Sequence, residues 1–300
     1  MLNNAKQFIV DNWGKWKAIW IESDRIEDCM EYYVKNNLNV IAISPYKGFL
    51  YNDLSFLDKY PYIEGIFITS ASRIDISKIM SLTQLKYITI ADNKQVYDFS
   101  SFSQLEALRI TYSPKAVFPQ VSTIKELYLR NYTPKSKSFL ELPSYPYLEN
   151  LELIHSTIKT LDEIGKYKNL QELHLSSLPK LENIADIKAL KNVLLWLELD
   201  NCKKIKDIDD ISHLKNLEKL QLSACGNIPS ISFIKELSRL KFFSFVNTEV
   251  VDGNLTTCLE ASNLEYVGFS DKKHYSHKLA ELRNLITELR SCKGCKGTTA

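Results

Sequence analysis

A nine-residue frame, L-x-x-L-x-L followed by three mostly polar positions, recurs along this chain and constrains its fold more than any other feature. Aligned on LLWLELDNC from residue 194, the frame gives LKYITIADN from 85, LEALRITYS from 105, IKELYLRNY from 124, LENLELIHS from 148 and LQELHLSSL from 170. Downstream lie LEKLQLSAC from 217, LKFFSFVNT from 240 and LEYVGFSDK from 264; upstream, IEGIFITSA from 63, LNVIAISPY from 38 and WKAIWIESD from 16 keep the register. The start-to-start spacings are 22, 25, 22, 20, 19, 24, 22, 24, 23, 23 and 24 residues. Successive side chains of a strand point to opposite faces, so positions four and six of each unit share one side and positions three, five and seven the other. A single unit cannot bury its apolar side alone, but stacked units share a continuous core.

The segments between the frames narrow the class. After Cys202, apolar residues fall at Ile205, Ile208, Ile211, Leu214 and Leu217, and the cadence returns as Ile158, Leu161, Ile164 and as Ile228, Ile231, Ile234. Spacing of three suits short 3₁₀ or irregular helical segments, in which side chains three apart eclipse. Frame and period together resemble the leucine-rich repeat family, in its short-repeat bacterial SDS22-like and internalin-like class rather than the long helical repeats of about 28 residues. The resemblance implies an α/β leucine-rich repeat solenoid: a curved parallel sheet on the concave side, 3₁₀ or irregular segments on the convex side, and helical end caps. It also implies an asparagine ladder at position nine. Here that position is Asn only at Asn93, and is elsewhere Ser113, Ser156, Thr248, Cys202 or Cys225, so the ladder is expected to be patchy.

An open array exposes apolar surface at both ends and needs covers. DRIEDCMEYYVKNN (24–37) reads as a helix, with Trp13 and Trp16 placed to pack over the first strand. SHKLAELRNLITELR sets Leu279, Leu282, Leu285, Ile286 and Leu289 on one helical stripe, with Ser276 as its N-cap. The expected organisation is one domain, 1–291: a cap region over 1–37, core repeats over 38–272 and a capping helix over 273–291, followed by a mobile tail at 292–300.

The 38 basic and 36 acidic residues nearly cancel, which gives no argument for nucleic acid or a membrane surface. The N-terminus lacks the basic start, apolar run and cleavage site of a signal peptide, and the six cysteines lack the dense spacing of a secreted disulfide scaffold. The expectation is a cytoplasmic monomer with reduced thiols. No phosphate-binding glycine loop or paired metal-ligand motif occurs, so no cofactor and no metal are expected. Cys292 and Cys295 form one C-x-x-C, which His274 and His277 would have to complete as a zinc set; the preferred reading is two reducible thiols in the tail.

With the frame fixed, the outward rows can be written out. Repeats from 124 to 194 gather Glu126, Glu152, Glu172, Glu198 and Asp200, with Arg130 the only base in their three rows. Tyr128, Trp196, Phe242 and Tyr266 adjoin this acidic zone. Aromatic anchors among polar groups are the composition of protein contact surfaces, and acids steer a basic partner. His174 has Glu152 and Glu198 as row neighbours, which predicts an imidazole pKa raised by flanking carboxylates. The sequence therefore reads as a non-enzymatic recognition scaffold that binds a basic protein partner through Tyr128, Glu152, Glu172, His174, Trp196, Glu198, Asp200 and Phe242. The alternative is a bacterial immunity or inhibitor protein neutralising a basic toxin or nuclease. An enzyme centred on His174 and a surface adhesion protein rank below both.

Overall fold

The computed structural model describes residues 7–69, 74–91, 95–120 and 123–294, with only the backbone of 292–294. They form two compact units, residues 1–129 and 130–300.

In the first unit, strands Trp16–Trp20, Val40–Ile43, Gly65–Ile68, Tyr87–Ile90 and Ala107–Thr111 pair in parallel, each with the next. The expected helix is present as Ile26–Lys35 and buries Cys29, Met30 and Tyr33. The cover of the first strand, however, is not that helix. Strand Val10–Trp13 pairs antiparallel with Trp16–Trp20, from Val10↔Ile19 to Trp13↔Trp16, through a turn at Gly14 with φ +62°. The hairpin folds over the outward face of the sheet: Trp13 lies 4.6 Å from Phe67, and Trp16 4.9 Å from Tyr87. Lys15 at its tip bonds Glu106 at 2.6 Å, three parallel strands beyond Val40–Ile43. Beneath it the outward positions are Ala18, Val40, Ala42 and Ala107, small residues that leave room for three tryptophans. The array therefore carries an apolar cluster on the side where the sequence frame anticipates polar groups.

In the second unit, strands Asn150–Ile154, Glu172–Ser176, Trp196–Asp200, Lys219–Ser223, Phe242–Ser244 and Tyr266–Gly268 run parallel and in unbroken register. Positions one, four and six point inward: Leu170, Leu173, Leu175, Leu194, Leu197 and Leu199 are fully buried. The spacing-of-three segments are 3₁₀ turns at Ile164–Lys166, Ala185–Leu190, Asp209–His213 and Ser232–Glu236, whose aliphatic side chains close the other side of the core. Each turn needs a start, because the first N–H groups of a helical segment have no internal partner. Asn183 Oδ1 accepts from Ala185 N at 2.8 Å, Asp207 Oδ1 from Asp209 N at 2.8 Å, and Ser230 Oγ from Ser232 N at 3.1 Å. Asp53, Asp75 and Asp98 do the same in the first unit.

Position eight is where the strand ends and the chain turns back. Asn131, His155, Ser177, Asn201, Ala224 and Asn247 occupy it in six successive repeats, all with φ between +50° and +59°. The left-handed conformation favours Asn over other residues with a Cβ, so three of the six fit it well and Ala224 fits least.

Position nine carries a patchy ladder of other residue types, interrupted by the apolar Leu178. Ser156 Oγ donates to the Tyr132 carbonyl at 2.7 Å, Cys202 Sγ to Leu175 at 3.5 Å, Cys225 Sγ to Leu199 at 3.2 Å and Thr248 Oγ1 to Leu222 at 2.5 Å. Small hydrogen-bonding side chains serve because the partner carbonyl lies on the adjacent turn. Asn93 falls outside the described residues. The asparagine role has moved to the residue before position one: Asn169, Asn216 and Asn263 donate to the carbonyls of Pro146, Asn192 and Ser238 at 2.6, 2.6 and 2.5 Å. Burial pushes the Cys202 and Cys225 thiols up to about 12 and about 11, so both are structural donors and poor nucleophiles.

The C-terminal helix is Leu279–Gly294, shifted from the expected 273–291. Ser276 does not cap it: its Oγ accepts from Leu255 N at 2.9 Å, while Asp271 Oδ1 takes the Leu279 N–H at 2.8 Å. Leu282 and Ile286 are buried and Leu289 is exposed. The helix also closes the last strand. Arg283 Nε donates to the Val267 carbonyl at 2.8 Å, and Arg290 to those of Leu264 and Ala261 at 2.9 and 2.5 Å. Guanidinium groups thus occupy backbone acceptors that would otherwise invite another strand. The helix continues to Gly294; Cys295 and the rest of the expected tail lie outside the described residues.

Candidate functional site

The outward rows of the second unit follow from its register. Row three runs Asn150, Glu172, Trp196, Lys219, Phe242, Tyr266; row five begins Glu152, His174, Glu198, Gln221. Asp200 lies opposite Ser176 and Ser223 in row seven. Seven of the eight sequence-predicted contact residues stand on these strands. Tyr128 belongs to the first unit, where the Arg109 guanidinium lies 6.0 Å from its ring and pairs with Glu126 at 3.2 Å.

His174 is the centre of the arrangement. Its Nδ1 meets Glu198 Oε2 at 3.0 Å and its Nε2 meets Glu172 Oε2 at 3.4 Å. The sequence rows name Glu152 and Glu198 as its flanks; the second hydrogen bond goes instead to Glu172, two residues back on the same strand and same face. Glu152 acts on the ring through its charge. Asn150 Nδ2 also donates to Glu172 Oε2, at 2.8 Å, and Ser176 Oγ donates to Asp200 Oδ2 at 2.9 Å. Burial is the largest single influence on His174 and pushes its pKa down. The hydrogen bonds to Glu198 and Glu172, with the charges of Glu198 and Glu152, outweigh it and leave the pKa raised. The bond from His174 correspondingly lowers the Glu198 pKa against its own burial.

A raised folded-state pKa means that His174 binds its proton more tightly folded than unfolded. The resulting stabilisation is fully present below the ordinary imidazole value of about 6.5 and fades as pH rises through the higher folded value. Urea unfolding between pH 6 and 8 is therefore expected to show wild type losing stability upward through this window, with a flatter profile for His174→Gln. Identical slopes for the two proteins would contradict the arrangement.

The aromatic part of the face is organised by cations. Lys219 Nζ sits 3.4 Å from the Trp196 ring centroid and 5.3 Å from that of Phe242. Phe242 stacks on Tyr266 at 4.5 Å with 6° between planes, and Arg283 covers Tyr266 at 4.5 Å. His174 meets Trp196 edge-on at 4.5 Å. The sequence rows from 124 to 194 hold no lysine, but parallel stacking brings Lys219 in from the next repeat. That lysine and Arg283 are the contributors that row counting missed. The signal for Lys219 was legible, since it stands one row-three position beyond Trp196; Arg283 arrives from the C-terminal helix, which no strand register predicts. Among the described residues, no group of three His, Cys, Asp or Glu side chains is disposed to hold a metal ion.

No protein-family model and no curated protein matches the sequence. Among solved structures, the chain is similar to an internalin, InlF, from Listeria monocytogenes, with 19% identity and a TM-score of 0.45 over 79% of this chain and 64% of that one. It is also similar to the functional domain of InlJ from the same organism, described as including a cysteine ladder, with 16% identity and a TM-score of 0.45 over 74% and 57%. A leucine-rich-repeat protein of Leptospira interrogans shows 15% identity and a TM-score of 0.41 over 83% and 81%. The chain spans less than two thirds of the length of either internalin structure. By its own repeat, its parallel in-register strands and its 3₁₀ returns, the chain has the leucine-rich-repeat fold.

Proposed function

We propose that the strand face of the second unit is a protein-recognition surface and that the protein acts as a non-enzymatic scaffold. One observation carries the reading: Trp196, Phe242 and Tyr266 stand beside Glu152, Glu172, Glu198 and Asp200 on strands that a fully buried leucine core holds in register. A surface ordered before binding loses little conformational freedom on contact, which favours affinity. The carboxylates outnumber Lys219 and favour a partner with a basic surface. Both ring nitrogens of His174 approach carboxylates, which favours a structural role for the ring over a catalytic one. No helix among the described residues is long and apolar enough to cross a membrane.

The test is affinity capture from the native host with wild type, Trp196→Ala and Glu198→Lys, each checked for native circular dichroism. The captured protein is identified with wild type, and its dissociation constant is then measured for all three. Loss of a central contact residue at an interface costs about 2 kcal/mol or more, so each variant is expected to weaken binding by at least about thirtyfold. Unchanged affinity in both folded variants would exclude this face.

A further inference from the structure

The first unit holds a second unfilled surface, away from its strand face. Helix Ile26–Lys35 is followed in the next repeat by the 3₁₀ turn Ser55–Lys59. An α-helix with side chains is about 10–12 Å across, wider than the slim returns beside it, so the step between them leaves a wedge. A cavity of about 600 Å³ occupies that wedge, lined by Met30, Val34, Tyr60 and Tyr62 with Glu27, Glu31 and Lys35 at its edge. A second, of about 360 Å³, shares Glu27 and Tyr60 with it and continues past Phe56 and Tyr51 to Asp24 and Asp28.

The walls are aromatic and ordered. Tyr60 and Tyr62 meet at 83° with centroids 6.1 Å apart, Phe56 lies 6.3 Å from Tyr60, and the buried Tyr33 backs Tyr62 at 6.3 Å. Apolar surface in the walls is bare: Val34 is 56% exposed, Tyr51 53% and Tyr62 47%. The rim is acidic. Asp24, Glu27, Asp28 and Glu31 line the two cavities against Arg25, Lys35 and Lys59. Of those three bases, Arg25 is held by Glu22 and Lys59 reaches Glu27 at 3.5 Å.

We propose that this groove docks a short basic and apolar segment of a protein partner, with apolar side chains against Val34, Tyr60 and Tyr62 and lysine or arginine side chains against Glu27 and Glu31. The ten-residue helix makes the groove about 15 Å long, room for about five residues of extended chain. Tyrosine faces and carboxylates attract the same cations, the first through the ring quadrupole and the second through charge. A second copy of this chain is the poorer occupant, because a two-fold pairing sets the same acidic rim against itself.

The probe is a short fluorescein-labelled peptide of alternating lysine and leucine, compared by fluorescence anisotropy with glutamate–leucine and lysine–serine counterparts on the full chain. The lysine–leucine peptide is expected to bind at least about tenfold more tightly than either counterpart. Glu27→Lys with Glu31→Lys, at two exposed positions, is expected to lose that preference, as is Tyr62→Ser, while Glu198→Lys on the other surface leaves it unchanged. Equal binding of the lysine–serine peptide would mean unspecific charge attraction and overturn the proposal. So would retention by the Glu27→Lys, Glu31→Lys protein, or loss caused by Glu198→Lys alone. Concentration-dependent dimerisation in sedimentation velocity, abolished by Val34→Asp, would assign the groove to a second copy and overturn it as well.

Discussion

Trp16→Ala is expected to lower the unfolding free energy by about 3–5 kcal/mol, the range for emptying a large buried aromatic site. Trp16 is only 5% exposed, packs on Tyr87 at 4.9 Å, and anchors the hairpin that also carries Trp13 and Trp20 over the sheet. Stabilities of ordinary domains are about 5–15 kcal/mol, so this one truncation removes a large fraction. Three of the four tryptophans sit in this cluster, which makes intrinsic fluorescence during urea unfolding a direct readout. Trp16→Phe provides the contrast. The indole Nε1 is buried with no hydrogen-bond partner among the described residues, so phenylalanine keeps most of the ring packing and discards an unpaired donor. Its expected cost is about 1–2 kcal/mol, well below that of alanine, because the smaller ring leaves only part of the site empty. A loss under about 1 kcal/mol for Trp16→Ala would show that the hairpin is not integral to the first unit.

Gly253→Ala is expected to destabilise the second unit by about 3 kcal/mol, from left-handed backbone and overpacking together. Gly253 has φ +62°, and a Cβ there would stand 2.4 Å from the His274 carbonyl oxygen and 3.1 Å from its carbon. The obstacle is backbone and is pinned in place. Ser276 N donates to the Gly253 carbonyl at 2.9 Å, Tyr275 Oη accepts from Val250 N at 3.0 Å, and His274 Nε2 approaches the Val250 carbonyl at 3.0 Å. This latch leads directly into the helix whose arginines close the last strand. Loss should therefore appear first as faster amide exchange in residues 264–294. Unaltered exchange there, with an unchanged urea midpoint, would contradict the assignment.

The strand positions were legible because their physics is local. In LLWLELDNC, alternation alone separates Leu197 and Leu199 from Trp196, Glu198 and Asp200, and the structure buries the first pair and leaves the other three partly open. Spacing of three likewise announced the 3₁₀ turns around Ile211 and Ile234. The Asp or Asn placed two residues before an unpaired N–H at Asp53, Asp75, Asn183 and Asp207 was present in the sequence as well, a turn signal that the leucine frame overshadowed. The position-eight φ values were legible only in part: Asn131, Asn201 and Asn247 suit a left-handed turn, whereas Ala224 and Ser177 announce none and adopt one because the stacked strands on either side fix where the chain must reverse.

For the candidate site, the frame set which side chains share a face and in what order. It did not set which of them touch. His174 turns to Glu172 rather than Glu152 because side-chain torsions, not Cα register, choose a hydrogen-bond partner. The hairpin over the first unit is the larger case. Val10–Trp13 contains one alternating stretch like many others, and only the small outward residues Ala18, Ala42 and Ala107, assembled from separate strands, create the hollow that receives the tryptophans of the hairpin. Sequence alone determined the repeat, the inward leucines and the composition of each outward row, because each depends on contacts within or between adjacent units. The tertiary structure decided which outward positions are covered, which charges are neutralised and which strand edges are closed. Those outcomes depend on segments distant in sequence meeting on one surface.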